Sequence, residues 1–565
     1  MTTIHPRDTP PCAVSALSAA GVSPLLARLF AARGLHSPAE LDLSFKALLP
    51  PDSLSGAREA AVLLADAIEA GARMVIVADY DCDGATACAV GIRALRAFGA
   101  DVHYLVPDRV SLGYGLTPPM VEIAAKLNPE VLITVDNGIA SIEGIERARA
   151  HGMSTVITDH HLPGETLPDA DVIVNPNQPG CGFPSKSLAG VGVMFYVMLA
   201  LRAELRERSA TRGGREPNLA NLLDLVALGT VADVVKLDHN NRILVSQGLQ
   251  RIRVGNMQPG IRALFGVSGR DVTRATALDL GFAIGSRLNA AGRIADMSLG
   301  IECLLTDDAG KALQLARELD RLNHDRREIE VEMQETARQI LETFDADGDK
   351  YVGLTLFEPG WHPGVIGLVA SRIREKLHRP TIAFARGQDG ELKGSGRSIP
   401  GLHLRDALGL VTRRAPDLVL RFGGHAMAAG LTIREEKLPE FRAAFGEIAA
   451  SLLDPADLQR RIDTDGPLDA AEISLETARL LEREVWGQGF PPPVFDNVFH
   501  IERQRILKDR HLKLELSLGG TRFEAVRFNC TERVPDIIHA AYRLNINEYK
   551  GMSNVQLMLE HFRAA

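Results

Sequence analysis

Arg73-Met74-Val75-Ile76-Val77-Ala78-Asp79-Tyr80-Asp81-Cys82-Asp83-Gly84 is a short apolar run that ends in three alternating carboxylates. Two later stretches repeat the design. Residues 131–135 lead into Asp136-Asn137-Gly138, and residues 154–158 lead into Asp159-His160-His161. Short Val- and Ile-rich runs of this kind read as strands buried on both faces. Similar runs occupy 102–106 and 172–174, and the intervening segments 86–98, 119–127 and 141–152 carry apolar residues at helical spacing. Strands alternating with helices predict βαβ units and a parallel sheet. Ligands bind such a sheet beyond the carboxyl ends of its strands, and every acidic cluster named here falls there.

Carboxylates and imidazoles gathered at successive strand ends are suited to divalent metal ions. Asp81 and Asp83 are two residues apart, and Gly84 is expected to let the backbone turn so that both face one site. Asp233, after the apolar stretch 222–232, is a further candidate ligand. Oxygen ligands with a single imidazole favour Mg²⁺ or Mn²⁺ over Zn²⁺. Two such ions about 3.5–4 Å apart activate water and stabilise both oxygens of an in-line phosphoryl displacement. Asp136 is placed to bridge them. The reaction class implied is metal-assisted hydrolysis of a phosphoester or phosphoanhydride. Taken singly, an Asp after a strand also serves as a helix cap or turn residue, and adjacent histidines are often surface residues. Three clusters at three strand ends favour a site.

The rest of the chain bounds this reading. At 565 residues it is too long for one core. Its 45% hydrophobic and 24% charged content is that of a soluble globular protein. No apolar run reaches the roughly 18–20 residues that span a bilayer, and residues 1–12 lack a signal-peptide pattern. Six scattered cysteines without a CxxC pair read as reduced cytosolic thiols. A net charge of −9 argues only weakly against a nucleic-acid partner, because bound cations reverse an acidic site locally.

Residues 309–344 are charged, with apolar positions at helical spacing, and read as one long interdomain connector; two shorter bundle helices are the alternative. A second α/β segment follows, with a strand at 351–357, a helix at 365–377 and a strand at 381–385. Glycine-rich turns are expected at Gly394-Ser395-Gly396-Arg397 and Gly423-Gly424-His425. From 494 to 560 short alternating runs predict a small antiparallel barrel or sandwich. There, basic residues such as Arg503, Arg505, Lys513 and Arg522 interleave with Phe499, Phe523 and Phe528, as in single-strand binders or simply as a barrel core. Arg109, Arg287 and Arg293 sit in loop-like, glycine-containing contexts where guanidinium forks hold phosphates. Ser371 and Arg372 lie on the second-lobe helix, and Arg397-Ser398 follows a glycine-rich turn.

The ordered motifs resemble the DHH phosphoesterase superfamily, and within it the single-strand-specific exonuclease branch. They are Asp79–Gly84, Pro107-Asp108-Arg109 with Gly113-Tyr114-Gly115-Leu116, Thr134-Val135-Asp136-Asn137-Gly138 and Asp159-His160-His161. Residues 225–235, 287–293, 361–367, 394–400 and 422–425 continue the series, so the resemblance covers residues 40–565. The resemblance implies a parallel-sheet DHH catalytic domain at 51–308 after an N-terminal segment at 1–50. A connecting helix at 309–344, a smaller α/β DHHA1 domain at 345–455 and an oligonucleotide-binding (OB) barrel at 456–565 would follow. It implies one ion on Asp81 and Asp136, a second on Asp83, Asp136, His160 and Asp233, with Asp79 a further acidic member and His161 facing the scissile phosphate. Arg109, His161, Arg287, Asn289, Arg293, Ser371, Arg372, Arg397, Ser398, Gly424 and His425 would contact substrate.

The implied activity is 5′→3′ degradation of single-stranded DNA to mononucleotides in repair and recombination. The implied setting is a cytoplasmic monomer that works with a single-strand-binding protein and a helicase, without a membrane. The competing activities are hydrolysis of short oligonucleotides or small phosphoesters on the same metal core, and a scaffold that has lost catalysis. Retention of all seven acidic and histidine positions from Asp79 to Asp233 speaks against the scaffold. One segment departs from the family pattern: Trp486-Gly487-Gln488-Gly489-Phe490-Pro491-Pro492-Pro493 stands where a Pro-Phe-Gly type of turn is expected.

Overall fold

The computed structural model describes residues 2–107, 115–209, 216–344, 352–387, 390–549 and 551–565. The motif residue Arg109, and its neighbours 108 and 110–114, lie outside the described residues. The chain divides into two compact units, one made of residues 6–323 with 464–565, the other of 324–463 with the extreme N-terminus.

The larger unit contains the anticipated parallel sheet. Its strand order is Asp101–Leu105, Arg73–Ala78, Val131–Val135, Ser154–Thr158, Val172–Val174. All neighbouring pairs are parallel. Winding therefore reverses between Arg73–Ala78 and Val131–Val135, and the crevice at such a switch point is where ligands bind. Val75, Ile76, Val77, Leu132, Ile133 and Ile157 are all fully buried, as expected for a sheet covered on both faces.

The same unit holds a closed five-stranded barrel, ordered Phe495–Leu507, His511–Leu518, Thr521–Arg527, Met552–Ala564, Ile537–Tyr549. It is not wholly antiparallel: Thr521–Arg527 and Met552–Ala564 close it in parallel. Phe499 and Phe523 fill its core, whereas Phe528 is exposed. The unexpected Trp486–Pro493 segment packs inside this unit. Trp486 stacks on Phe490 (5.4 Å between centroids), and Arg242 lies 4.2 Å above the Phe490 ring. Gln488 accepts the Leu237 amide at 2.7 Å.

The smaller unit has a sheet ordered Arg421–Gly424, Ala428–Arg434, Glu391–Arg397, Thr381–Arg386, Leu354–Phe357. Three sequence expectations differ from this sheet. The glycines at 394 and 396 belong to a strand, not a turn; a Cβ on Gly394 would stand 2.5 Å from Phe384 and one on Gly396 2.7 Å from Leu404. Gly423 and Gly424 likewise lie in a strand. The described first strand begins at Leu354 rather than 351.

Ala309–Phe344 is a single helix of 36 residues, so the two-helix alternative is wrong. Helical propensity and an i,i+4 pair such as Arg326–Glu330 support it. Among the described residues no helix is long and apolar enough to cross a membrane, and all six cysteines are free.

Candidate metal centre

The three strand ends converge as their positions in the sheet require. After Ala78 the chain passes Asp79, and Asp81 becomes the N-cap of helix Cys82–Ala97, its Oδ1 accepting the amides of Asp83 (2.9 Å) and Gly84 (3.0 Å). The same side chain caps the helix and groups with Asp79 and Asp136, so the capping reading and the ligand reading are compatible. Gly84 does not make a sharp turn. It lies inside that helix, and its missing Cβ admits the Asp79 carbonyl, 2.4 Å from where a Cβ would be. Asp83 is fully buried and accepts the amides of Gly190 (2.6 Å) and Val191 (2.9 Å), at the start of helix Gly190–Ser209. Two helix N-termini therefore direct positive partial charge at this loop.

Asp136 follows Val135 with φ of 61°, a left-handed conformation unusual for a residue with a side chain. Its amide donates to the Thr158 carbonyl at 3.0 Å, and Asn137 ties the strand ends by donating to the Val77 and Val135 carbonyls. Asp136 Oδ1 lies 3.1 Å from His160 Nε2, which is 3.4 Å from Asp233 Oδ2 and 3.9 Å from Asp83 Oδ2. Asp233 ends helix Leu223–Ala232, which is mostly apolar and almost wholly buried, Asp224 and Thr230 being its buried polar residues.

Three groups of ligand atoms each lie within 4.8 Å of one another: Asp79, Asp81 and Asp136; Asp83, His160 and Asp233; and Asp136, His160 and His161. Asp136 belongs to two of them. Burial, then the charges of Asp83, Asp81, Asp233 and Asp79, push Asp136 well above the usual carboxylate range. Asp233 is raised likewise by burial, then by the charges of Asp83, Asp81, Asp79 and Asp159. Asp83 rises to about 7 through burial and Asp81, held back by the two amides it accepts. Asp233 Oδ2 is buried and accepts no hydrogen bond. Like charges packed in this way fit divalent cations, which reverse the local electrostatics. The oxygen-rich donor set fits Mg²⁺ or Mn²⁺.

Asp159 is the functional residue that sequence reasoning left without a role. It is buried; its Oδ1 accepts His161 Nδ1 at 2.7 Å and the His160 and His161 amides, while Oδ2 accepts the Ile139 amide. Burial pulls the His161 pKa down, but the bond to Asp159 and its charge outweigh this and lift it to about 9. Its place as the first residue of the Asp-His-His triplet, directly after a strand, was the available signal. Gly190 was missed too, and only packing reveals it.

The expected substrate residues fall into two sets, one in each unit. In the larger unit, Arg287 and Arg293 are on helix Ser286–Ile294 rather than in a loop, because Leu288, Ala290 and Ala291 give that segment a buried apolar face. Arg287 is buried and pairs with Asp320 (Nη2–Oδ1 2.7 Å) while donating to the Ala283 carbonyl. Asn289 Oδ1 accepts the Cys82 amide at 2.8 Å. In the smaller unit, Ser371 and Arg372 lie on helix Ile366–Leu377, and Arg372 pairs with Glu330 and Glu375. The Arg397 guanidinium abuts Gly367 of that helix, where a Cβ would meet Nη2 at 2.9 Å. Ser398 is buried and donates to the Leu402 carbonyl at 2.7 Å. Gly424 has φ of 138°, and His425 is exposed.

A switch-point cluster of carboxylates and histidines on a parallel sheet defines a metal-dependent phosphoesterase of the DHH class. Residues 73–230 match the DHH family N-terminal domain, 348–451 the DHHA1 domain and 464–561 the RecJ OB domain. The chain belongs to the RecJ family. It is 50% identical to the single-stranded-DNA-specific exonuclease RecJ of Salmonella typhimurium over 553 residues, 96% of either chain. Crystal structures of RecJ from Thermus thermophilus in complex with Mn²⁺ and with Mg²⁺ are similar to it along its whole length. Their TM-scores are 0.84 and 0.78, at 32% and 30% identity, over 80% and 79% of those chains.

Proposed function

We propose that this chain is a metal-dependent exonuclease that degrades single-stranded DNA 5′→3′ to mononucleotides in repair and recombination. The observation that carries the reading is Asp136, buried at the switch point and shared by two ligand groups, in a chain that also holds an OB barrel. One divalent ion would be held by Asp81 and Asp136, with Asp79 beside them, and a second by Asp83, Asp136, His160 and Asp233. When bound, the ions supply a water nucleophile at neutral pH and stabilise the charge that develops on the phosphate. The residues contribute the rest. Asp159, through its 2.7 Å bond to His161 Nδ1, orients that imidazole for the scissile phosphate. Asp81 and Asp83, anchored on helix N-termini, fix the ligand loop.

Among the remaining candidates, Arg293, Arg372, Arg397 and His425 are proposed strand contacts, and Arg109 joins them by its motif. The chain works as a cytoplasmic monomer alongside a single-strand-binding protein and a helicase. Hydrolysis restricted to dinucleotides or small phosphoesters is disfavoured by the OB barrel, which such an activity does not need. The deciding experiment is digestion of long single strands labelled at either end, with 5′-phosphate or 5′-hydroxyl, in Mg²⁺ and in Mn²⁺. Mononucleotide release beginning at the 5′ end is expected. Turnover of dinucleotides with long strands left intact would overturn the reading.

A further inference from the structure

Helix Ser286–Ile294 touches the ligand loop at two points and the long helix at a third. A Cβ on Gly292 would stand 1.8 Å from the Tyr80 carbonyl, so this helix lies directly against the backbone between Asp79 and Asp81. One turn earlier, Asn289 Oδ1 accepts the amide of Cys82, the residue between Asp81 and Asp83. That amide belongs to the first turn of helix Cys82–Ala97, where backbone donors have no partner within the helix. Asp81 takes the next two amides itself. At the same helix's start, Arg287 is clamped by Asp320 of helix Ala309–Phe344 and by the Ala283 carbonyl.

We propose that Asn289 is a positioning residue for the metal centre, holding the Asp81–Asp83 loop through the Cys82 amide, with Arg287–Asp320 anchoring the helix that carries it. Asn289 and Arg287 therefore act on the ligands and not on the strand. A buried Arg287 guanidinium that commits Nε and Nη2 to Asp320 and Nη1 to the Ala283 carbonyl presents little of its fork to a phosphate. An Asn289 oxygen that accepts a backbone amide sets where two carboxylates point. Partners of this kind, one bond removed from the ligands, typically change metal affinity or activity by about 10- to 100-fold when removed.

The inference rests on the reading of the cluster as a metal site, and its first readout needs no substrate. Mn²⁺ binding to the full chain is titrated calorimetrically for wild type, Asn289→Ala and Asn289→Asp, with kcat and KM for a 5′-phosphorylated single strand measured alongside. Asn289→Ala is expected to lose about tenfold or more in Mn²⁺ affinity and kcat, with KM for the strand unchanged. Asn289→Asp keeps an acceptor for the Cys82 amide and is expected to regain most of the Mn²⁺ affinity. Arg287→Met should reproduce the Asn289→Ala pattern more weakly. A raised KM with Mn²⁺ affinity intact in Asn289→Ala, made worse in Asn289→Asp by repulsion of phosphate, would overturn the inference in favour of strand contact. Thermal melts of each variant separate loss of the fold from loss of the site. Should wild type bind Mn²⁺ yet leave single strands intact, the proposed activity fails while the metal-affinity comparison still decides the role of Asn289.

Discussion

Gly190→Ala tests the ligand geometry from a residue that carries no functional group. A Cβ at this position would stand 2.6 Å from Asp136 Cβ, 2.7 Å from Oδ1 and 2.9 Å from Cγ. Carbon atoms in contact sit about 3.5–4 Å apart, so about 1 Å of displacement is required. Asp136 cannot easily yield it: the residue is buried, its φ is 61°, and its amide is bonded to Thr158. If the start of helix Gly190–Ser209 moves instead, the Gly190 and Val191 amides leave Asp83. Either way a ligand shifts. A misplacement of about 1 Å at a reacting centre costs about 100-fold in rate. Overpacking of this kind costs about 1–3 kcal/mol, so stability is read beside rate to separate loss of the fold from loss of the site. The assay is the initial rate on a 5′-phosphorylated single strand, with Mn²⁺ affinity and melting temperature. Gly266→Ala, where a Cβ meets nothing within 4 Å, is the control. A Gly190→Ala protein within about threefold of wild type in rate and Mn²⁺ affinity would refute the steric reasoning.

Three further outcomes follow from the same packing. Because cations relieve the repulsion among Asp79, Asp81, Asp83, Asp136 and Asp233, Mn²⁺ at about 100 times its Kd should stabilise the protein by about 2.7 kcal/mol; melting curves that coincide with and without chelator would contradict this. Asp224 is buried and its pKa is raised by burial to about 6, against the amides of Gln258 and Leu225 that lower it. The native state therefore holds the extra proton between pH 3.8 and about 6, and the group's contribution to stability falls as pH rises through that window, by about 3 kcal/mol in all. In urea unfolding, the stability of wild type relative to Asp224→Asn should decline over that range, and a flat or rising difference would count against it. Arg33 and Asp465 form a bidentate pair (2.8 and 3.0 Å) whose side chains are 1% exposed, so Arg33→Met should cost about 3–5 kcal/mol in urea unfolding, and a loss below about 1 kcal/mol would show the pair to be dispensable.

The sheet was legible because its signal is local. Runs such as Met74–Val75–Ile76–Val77 carry their burial in composition, and the acids come immediately after them. The clustering of the acids and histidines was legible for the same reason, since Asp81, Asp136 and His160 all follow strands. What sequence misplaced depended on contacts made at long range. Gly394 and Gly396 look like turn residues, but only the Phe384 and Leu404 side chains opposite explain why a strand lacks Cβ atoms there. The pairing of Arg287 with Asp320, 33 residues away, is likewise a long-range contact that its glycine-containing sequence context does not announce. Asp159 was hidden differently: it is the first residue of the triplet, yet its work is on its own neighbours' amides and on His161 Nδ1.

The cluster's carboxylates are not equivalent, and the differences say where cations are needed. Asp81 caps one helix and Asp83 closes the start of another, so amide dipoles already offset part of their charge. Asp83 is raised only to about 7 although it is fully buried. Asp233 stands at the opposite end of its helix, Leu223–Ala232, where the carbonyl dipoles add negative potential, and its Oδ2 accepts no hydrogen bond. Asp136 is held in a left-handed conformation in the middle of four other acids. Each of these is unfavourable by local rules, and three fall on one site: a strained φ, a carboxylate at a helix C-terminus and like charges buried together. Helix dipoles cannot serve Asp233, whose carboxylate lies 3.4 Å from His160 Nε2, itself 3.1 Å from Asp136. The fold thus offsets the charge of the carboxylates it can, and leaves Asp136 and Asp233 as the two that a bound cation would relieve.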